Sequence, residues 1–165
     1  MDKTALFNLS YGMYIIATKD GERLCGCTAN SAIQVTAEPA TIAISINVNN
    51  YTNKCIKQTG QFTLNILGVN NDPLLIGSFG FRSSKDCDKF ENVNYEIIDG
   101  LPILKDANSY FICKVKNTLE VGTHTIFVAD ITDCKKQNDD IPMTYSYYHN
   151  VIKGKSPKNA PTYVS

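Results

Sequence analysis

The run Thr41-Ile42-Ala43-Ile44-Ser45-Ile46-Asn47-Val48 places Ile, Ile, Ile and Val at alternate positions, with small or polar residues between them. Side chains alternate across a strand, so a strict period of two puts one apolar face on a core and turns the other outward. A helix would scatter these residues around its circumference. Short β-branched runs recur at 13–18, 23–28, 32–37, 62–67, 95–98, 102–104, 110–119 and 125–131. Turn residues separate them, Lys19-Asp20-Gly21 among them, and this is the pattern of a sandwich or barrel.

Helical signals are weaker. Residues 51–59 fit a short helix begun by an Asn or Thr cap and stopped by Gly60. Residues 73–79 fit another, with Asp72 as cap and Pro73 in the first position. Strands and helices do not alternate as a parallel sheet requires. The expected fold is mostly β, with a few short helices at its margins.

The chain has 165 residues, the size of one domain, and needs no staples to hold a core. Lys and Arg total 16 and Asp and Glu total 16, a net charge of zero. A nucleic-acid binder needs a basic excess to neutralise phosphates, so that class is disfavoured. The first residues, Met1-Asp2-Lys3-Thr4-Ala5, lack the apolar segment of a signal peptide, and no apolar run approaches membrane-spanning length. The expectation is a cytoplasmic protein with no membrane or nucleic-acid partner.

Six cysteines, Cys25, Cys27, Cys55, Cys87, Cys113 and Cys134, contain no C-x-x-C pair, so zinc-ribbon and rubredoxin-type ligand sets are not expected. Cys25 and Cys27 share one face of a strand. A redox or metal pair and two reduced, half-buried thiols are both readings of that spacing.

Three polar stretches stand at the ends of apolar runs: Thr28-Ala29-Asn30-Ser31, the segment 45–52, and Gly122-Thr123-His124. They suit a neutral, hydrogen-bonding cradle for a large planar cofactor with a phosphate tail. Neither G-x-G-x-x-G nor G-x-x-x-x-G-K occurs. A phosphate could instead sit at the start of the 51–59 helix, where free N–H groups and the dipole favour an anion. Asn47, Asn49, Tyr51 and Thr52 would add donors there and Lys54 a charge, although the same residues serve commonly as caps and turn formers. His124 follows a glycine turn and precedes an apolar strand, a position that holds a side chain over a barrel mouth. No nucleophile motif accompanies it. Phe79-Gly80-Phe81-Arg82-Ser83 is either a loop able to stack on a ring or pair with a phosphate, or a helix end with Gly as its stop. Tyr145, Tyr147 and Tyr148 could flank a flat ligand or pack a core.

In order and spacing these residues resemble the flavin reductase-like family, whose fold is the FMN-binding split β-barrel. The resemblance runs from about Tyr11 to Tyr163. Gly12-Met13-Tyr14-Ile15-Ile16-Ala17-Thr18 is similar to the family's opening strand, and Thr28-Ala29-Asn30-Ser31 to its first flavin-contacting turn. The segment 39–47 resembles the strand that leads to the ribityl and phosphate contacts, and 60–67 a further characteristic strand. Gly122-Thr123-His124 is similar to the family's Gly-Asp-His signature, with Thr123 where the acid usually stands. Phe79-Gly80-Phe81-Arg82-Ser83, Asp88-Lys89-Phe90 and the 143–163 ending resemble the flavin domain of high-molecular-weight rubredoxins. With no Cys-x-x-Cys after the resembling segment, that likeness implies a separate electron carrier.

The resemblance implies a homodimer with bound FMN near the subunit boundary, reduced by NADH or NADPH and delivering electrons to a separate acceptor, such as rubredoxin, another flavoprotein, ferric iron or free flavin. Thr28, Ala29, Asn30 and Ser31 would face the isoalloxazine edge. Ser45, Ile46, Asn47, Asn49, Tyr51 and Thr52 would hold ribityl and phosphate. Phe79, Gly80, Phe81, Arg82, Ser83 and Lys89 would complete the phosphate end, and His124 would stand by the ring and the nicotinamide. On this reading residues 1–151 form the flavin domain and 152–165 an extended arm. An FMN-binding electron carrier without direct NAD(P)H activity is the alternative.

Overall fold

In chain order the strands are β1 (Tyr14–Asp20), β2 (Arg23–Ala29), β3 (Ala32–Thr36), β4 (Thr41–Asn47), β5 (Gln61–Ile66), β6 (Tyr95–Ile98), β7 (Leu101–Leu104), β8 (Ser109–Val121) and β9 (His124–Lys136). The helices are α1 (Tyr51–Thr59), α2 (Pro73–Phe81) and α3 (Tyr145–Asn150), with a 3-10 turn at Lys3–Asn8. This computed structural model describes residues 1–163; Val164 and Ser165, the last residues of the expected arm, lie outside the described residues. Seven strands form one antiparallel sheet in the order β2-β1-β5-β8-β9-β4-β3, and β6 pairs with β7 as a separate ribbon. The end strands β2 and β3 do not pair with each other, so the sheet curls without closing. This is the split barrel expected for a mostly-β chain.

The alternation in β4 does what its period demands. Ile42, Ile44 and Ile46 enter the barrel interior with Ile16, Phe62, Leu64 and Phe127, while Ala43, Ser45 and Asn47 face outward. Burial of each large apolar side chain favours the fold by about 1.5–3 kcal/mol. β1 is buried on both faces: Ile16 points into the barrel, and Ile15 and Ala17 pack under α2 and α3 with Phe79, Phe90, Met143 and Tyr148. That double burial is why residues 13–18 read as a continuous apolar run rather than an alternation.

The α1 boundaries match their sequence signals. The Asn50 side chain accepts a hydrogen bond from the Thr52 N–H at the start, and Gly60 ends the helix at φ 67°, a left-handed conformation that favours glycine. Two other elements differ from expectation. α2 continues through Gly80 to Phe81, because Phe79 is buried edge-on against Phe90 and that packing outweighs the roughly 1 kcal/mol a helical glycine costs. α3 has no helical apolar period, yet it forms because Thr144 caps the Tyr147 N–H and Tyr145 and Tyr148, three apart, are both buried.

Candidate functional site

Sheet register brings the polar stretches together. Asn47 and His124 are direct partners across β4 and β9. The Val48 N–H donates to the Thr123 carbonyl at 2.9 Å, and the Ser45 N–H donates to the Ser31 carbonyl at 3.1 Å. α1 begins immediately beyond, and the end of α2 approaches from the β2 side. Between them lies a cavity of about 700 Å³, inside the usual range for cofactor sites.

Most of the predicted site residues line it. β2 contributes Thr28, Ala29 and, just past its end, Asn30; the following segment of β4 and α1 contributes Ser45, Ile46, Asn47, Asn49 and Tyr51. Gly80, Phe81, Arg82 and Ser83 form the far wall, and His124 faces them. Four predicted residues are not among the cavity lining. Ser31 donates its hydroxyl to Asn30 Oδ1 at 3.0 Å. Thr52 is buried, and its hydroxyl has no hydrogen-bond partner among the described residues. Phe79 is core. Lys89 is 4% exposed, its ammonium donating to the Gly26 carbonyl at 2.9 Å and the Phe79 carbonyl at 3.0 Å. Its charge is thus spent tying β2 to the end of α2, and burial lowers its pKa.

Electrostatics distinguish the cavity from the rest of a neutral chain. Arg82, Lys155 and Lys158 line it and no Asp or Glu does, among the described residues. The N-terminal end of α1 adds its positive dipole at Asn50–Tyr51. The Tyr51 phenol donates to the Asp20 carboxylate, which pushes its pKa up to about 12 and fixes the ring at the helix start. Burial raises the Cys27 thiol to about 11, against the opposing pull of the Lys89 charge. Across the cavity, Thr123 Oγ1 lies 2.9 Å from His124 Nδ1, and the buried Nε2 has no partner among the described residues. An orphaned ring nitrogen, uncancelled cations and side-chain amides around one space fit a polar, anionic ligand larger than a metal ion.

Several lining residues carried no sequence signal for this site. Met13, Cys27, Asn50 and Ile76 contribute from core or cap positions. Tyr145 and Tyr148, for which the sequence left ligand-flanking and core packing open, line the cavity from α3 and are buried. The segment 155–161 and Tyr163 close one side. That segment has no apolar period, so nothing local marks what it packs against; Asn50, a helix cap beside predicted ligands, could have been found.

Other features lie elsewhere. All six cysteines are free thiols, with Cys25 Sγ and Cys55 Sγ 3.3 Å apart in the barrel. Cys25 and Cys27 are both buried on one face of β2. No helix among the described residues is long and apolar enough to cross a membrane.

A family model for the flavin reductase like domain matches residues 6–155. The chain is 42% identical over 165 residues to a high molecular weight rubredoxin of Moorella thermoacetica, aligning 99% of this chain with 72% of that protein. It is 36% identical to a ferric-chelate reductase (NAD(P)H) of Archaeoglobus fulgidus, over 99% of this chain and 98% of that one. Among solved structures it superimposes on the flavin reductase PheA2 in its native state with a TM-score of 0.74 and 28% identity, over 87% and 93% of the two chains. With the family's domain model spanning nearly the whole chain and the split barrel shared, this protein belongs to the flavin reductase-like family.

Proposed function

We propose that this protein is an FMN-binding oxidoreductase that passes electrons from NADH or NADPH to a separate acceptor. The observation that carries the reading is the cavity itself: positively charged and free of carboxylates in a neutral chain, with the predicted flavin-contacting segments around it. The family and its NAD(P)H-dependent relatives point the same way. Bound FMN would supply the chemistry, accepting a hydride from the nicotinamide and releasing electrons singly or in pairs.

The chain's own residues bind and orient. Arg82 would pair with the phosphate at the end of α2, while Ser83 and the start of α1 at Asn50–Tyr51 supply neutral donors. Asn47 and Asn49 would serve the ribityl chain and Thr28 to Asn30 the ring edge. His124, whose Nε2 is unpartnered, would donate or accept one hydrogen bond beside the ring and position the nicotinamide. Thr123, at the place where relatives of this family carry an acid, offers Nδ1 a hydroxyl instead of a negative charge. His124 therefore acts as an orienting group.

A homodimer belongs to the same reading. Residues opposite one another in antiparallel strands share a face, so Ile33, Ser45, Asn47, Leu119 and Val121 project from one side of β3-β4-β9-β8. Ile33 is 65% and Leu119 60% exposed, an apolar patch beside the cavity that a second copy would cover. In this reading residues 1–151 are the flavin domain and 152–165 its C-terminal arm.

The test is an absorption spectrum of the purified protein reconstituted with FMN, before and after anaerobic NADH or NADPH. Bleaching of the flavin bands supports the proposal. A bound flavin that ignores both nicotinamides, yet takes electrons from a reduced partner protein, overturns it in favour of an electron carrier.

A further inference from the structure

The segment after α3 does not trail into solvent. Lys153 takes a positive φ of 62°, and the chain turns back so that Gly154 lies flat on the Tyr148 ring. A Cβ on Gly154 would fall 2.0 Å from that ring, so only glycine allows this approach. The Tyr148 hydroxyl donates to the Lys155 carbonyl at 3.3 Å. Beyond it, Ser156 Oγ lies 2.8 Å from the Tyr145 hydroxyl and 3.2 Å from Thr162 Oγ1. Asn30 Nδ2 completes the series by donating to Thr162 Oγ1 at 2.9 Å.

These contacts satisfy one another. Thr162 accepts from the Asn30 amide, and its hydroxyl, that of Ser156 and that of Tyr145 each have a proton and lone pairs with which to continue the series. Asn30 and Thr162 are only 6% and 8% exposed, so breaking the link strands buried polar groups. The relay joins the end of β2, on one side of the cavity, to α3, on another, through the segment 154–163. That segment supplies Ser156, Pro157 and Pro161 to the cavity lining and two of its three side-chain cations, Lys155 and Lys158.

We propose that residues 154–163 form a strap, latched by the Asn30–Thr162–Ser156–Tyr145 relay, that retains FMN as a resident cofactor rather than letting it exchange as a free substrate. The inference rests on the FMN reading above. The strap walls the cavity on the side left open between β2 and α3. Its departure breaks the relay and removes two cations together, so the flavin leaves only when the strap lifts. Holding the strap in place is a binding contribution already made before the ligand arrives.

The experiment measures FMN dissociation by recovery of flavin fluorescence in the full-length wild type and in Ser156→Ala, Thr162→Val and Gly154→Ala. Loss of one relay bond should speed FMN release about fivefold to tenfold. Gly154→Ala, which displaces the strap while leaving every relay side chain in the sequence, should do so at least as strongly. Tryptic cleavage after the exposed Lys155 and Lys158 gives the second readout: FMN should slow it in the wild type, and less so in the variants. Release rates within twofold of wild type in all three variants overturn the strap while leaving FMN binding intact. Cleavage that FMN does not slow in the wild type overturns it equally. A wild-type protein that binds no FMN overturns both this inference and the reading beneath it.

Discussion

Asn47 and His124 face each other across β4 and β9, the last residue of one strand against the first of the other. Their pairing puts a side-chain amide and an imidazole, 77 positions apart in sequence (124 − 47), on one wall of the cavity. The His124 Nε2 finds no partner among the described residues. His124→Ala should therefore slow flavin reduction by NAD(P)H about tenfold, the worth of one oriented hydrogen bond, with FMN affinity changed less than threefold. Stopped-flow reduction and fluorescence titration separate the two. Equal loss in both would make His124 part of the flavin site alone.

Arg82 caps the end of α2, lines the cavity, and has no carboxylate partner among the described residues. Arg82→Ala should weaken FMN binding by about tenfold to a hundredfold, the range of a charge-assisted contact. Riboflavin, which lacks the phosphate, should bind the variant as it binds the wild type. Parallel losses for both flavins would move the phosphate elsewhere.

Lys89 makes a contrasting case. Its ammonium serves two backbone carbonyls in the protein interior, so Lys89→Met removes a donor from each, leaving Gly26 the Ser84 hydroxyl, and should destabilise the fold by about 1–3 kcal/mol. Urea denaturation checks this. FMN affinity, measured where the variant is still folded, should fall far less than in Arg82→Ala.

Burial pushes the Cys25 and Cys113 thiols up to about 12 and Cys27 to about 11, from an ordinary value of 9.0. Each folded pKa lies above its unfolded one, so between these values the folded chain binds more protons. The stabilisation is complete below about pH 9 and is lost as pH rises from 9 toward 12. Denaturation midpoints should be flat through neutrality and fall above pH 9. In the native protein at pH 8, a thiol-specific reagent should label the exposed Cys134 first, with Cys25, Cys27 and Cys113 labelled only on unfolding.

Leu119→Arg tests the apolar face. A charge at the centre of a self-complementary patch meets its own copy across a two-fold axis, and like charges there are strongly unfavourable. Sedimentation should show the wild type as a dimer and the variant as a monomer. A wild type that sediments as a monomer would remove the dimer from the proposal.

The amino-acid order alone determined a mostly-β domain, and its resemblance to a family the split barrel. The isoleucine alternation of β4, the caps Asn50 and Gly60, and Pro73 after Asp72 are local signals, because side-chain period and cap chemistry act within a few residues. It also marked the segments from which the cavity is built. What it left undecided is which members of those segments turn inward. Thr52 and Lys89 were both expected as ligands; Thr52 is buried outside the cavity lining, and the Lys89 ammonium donates to the carbonyls of Gly26 and Phe79. The course of 154–163 was equally hidden. It depends on hydroxyl contacts between Ser156, Thr162, Tyr145 and Asn30, up to 132 residues apart. Local composition sets which elements form; only the sheet register and the return of the chain across it decide which side chains meet.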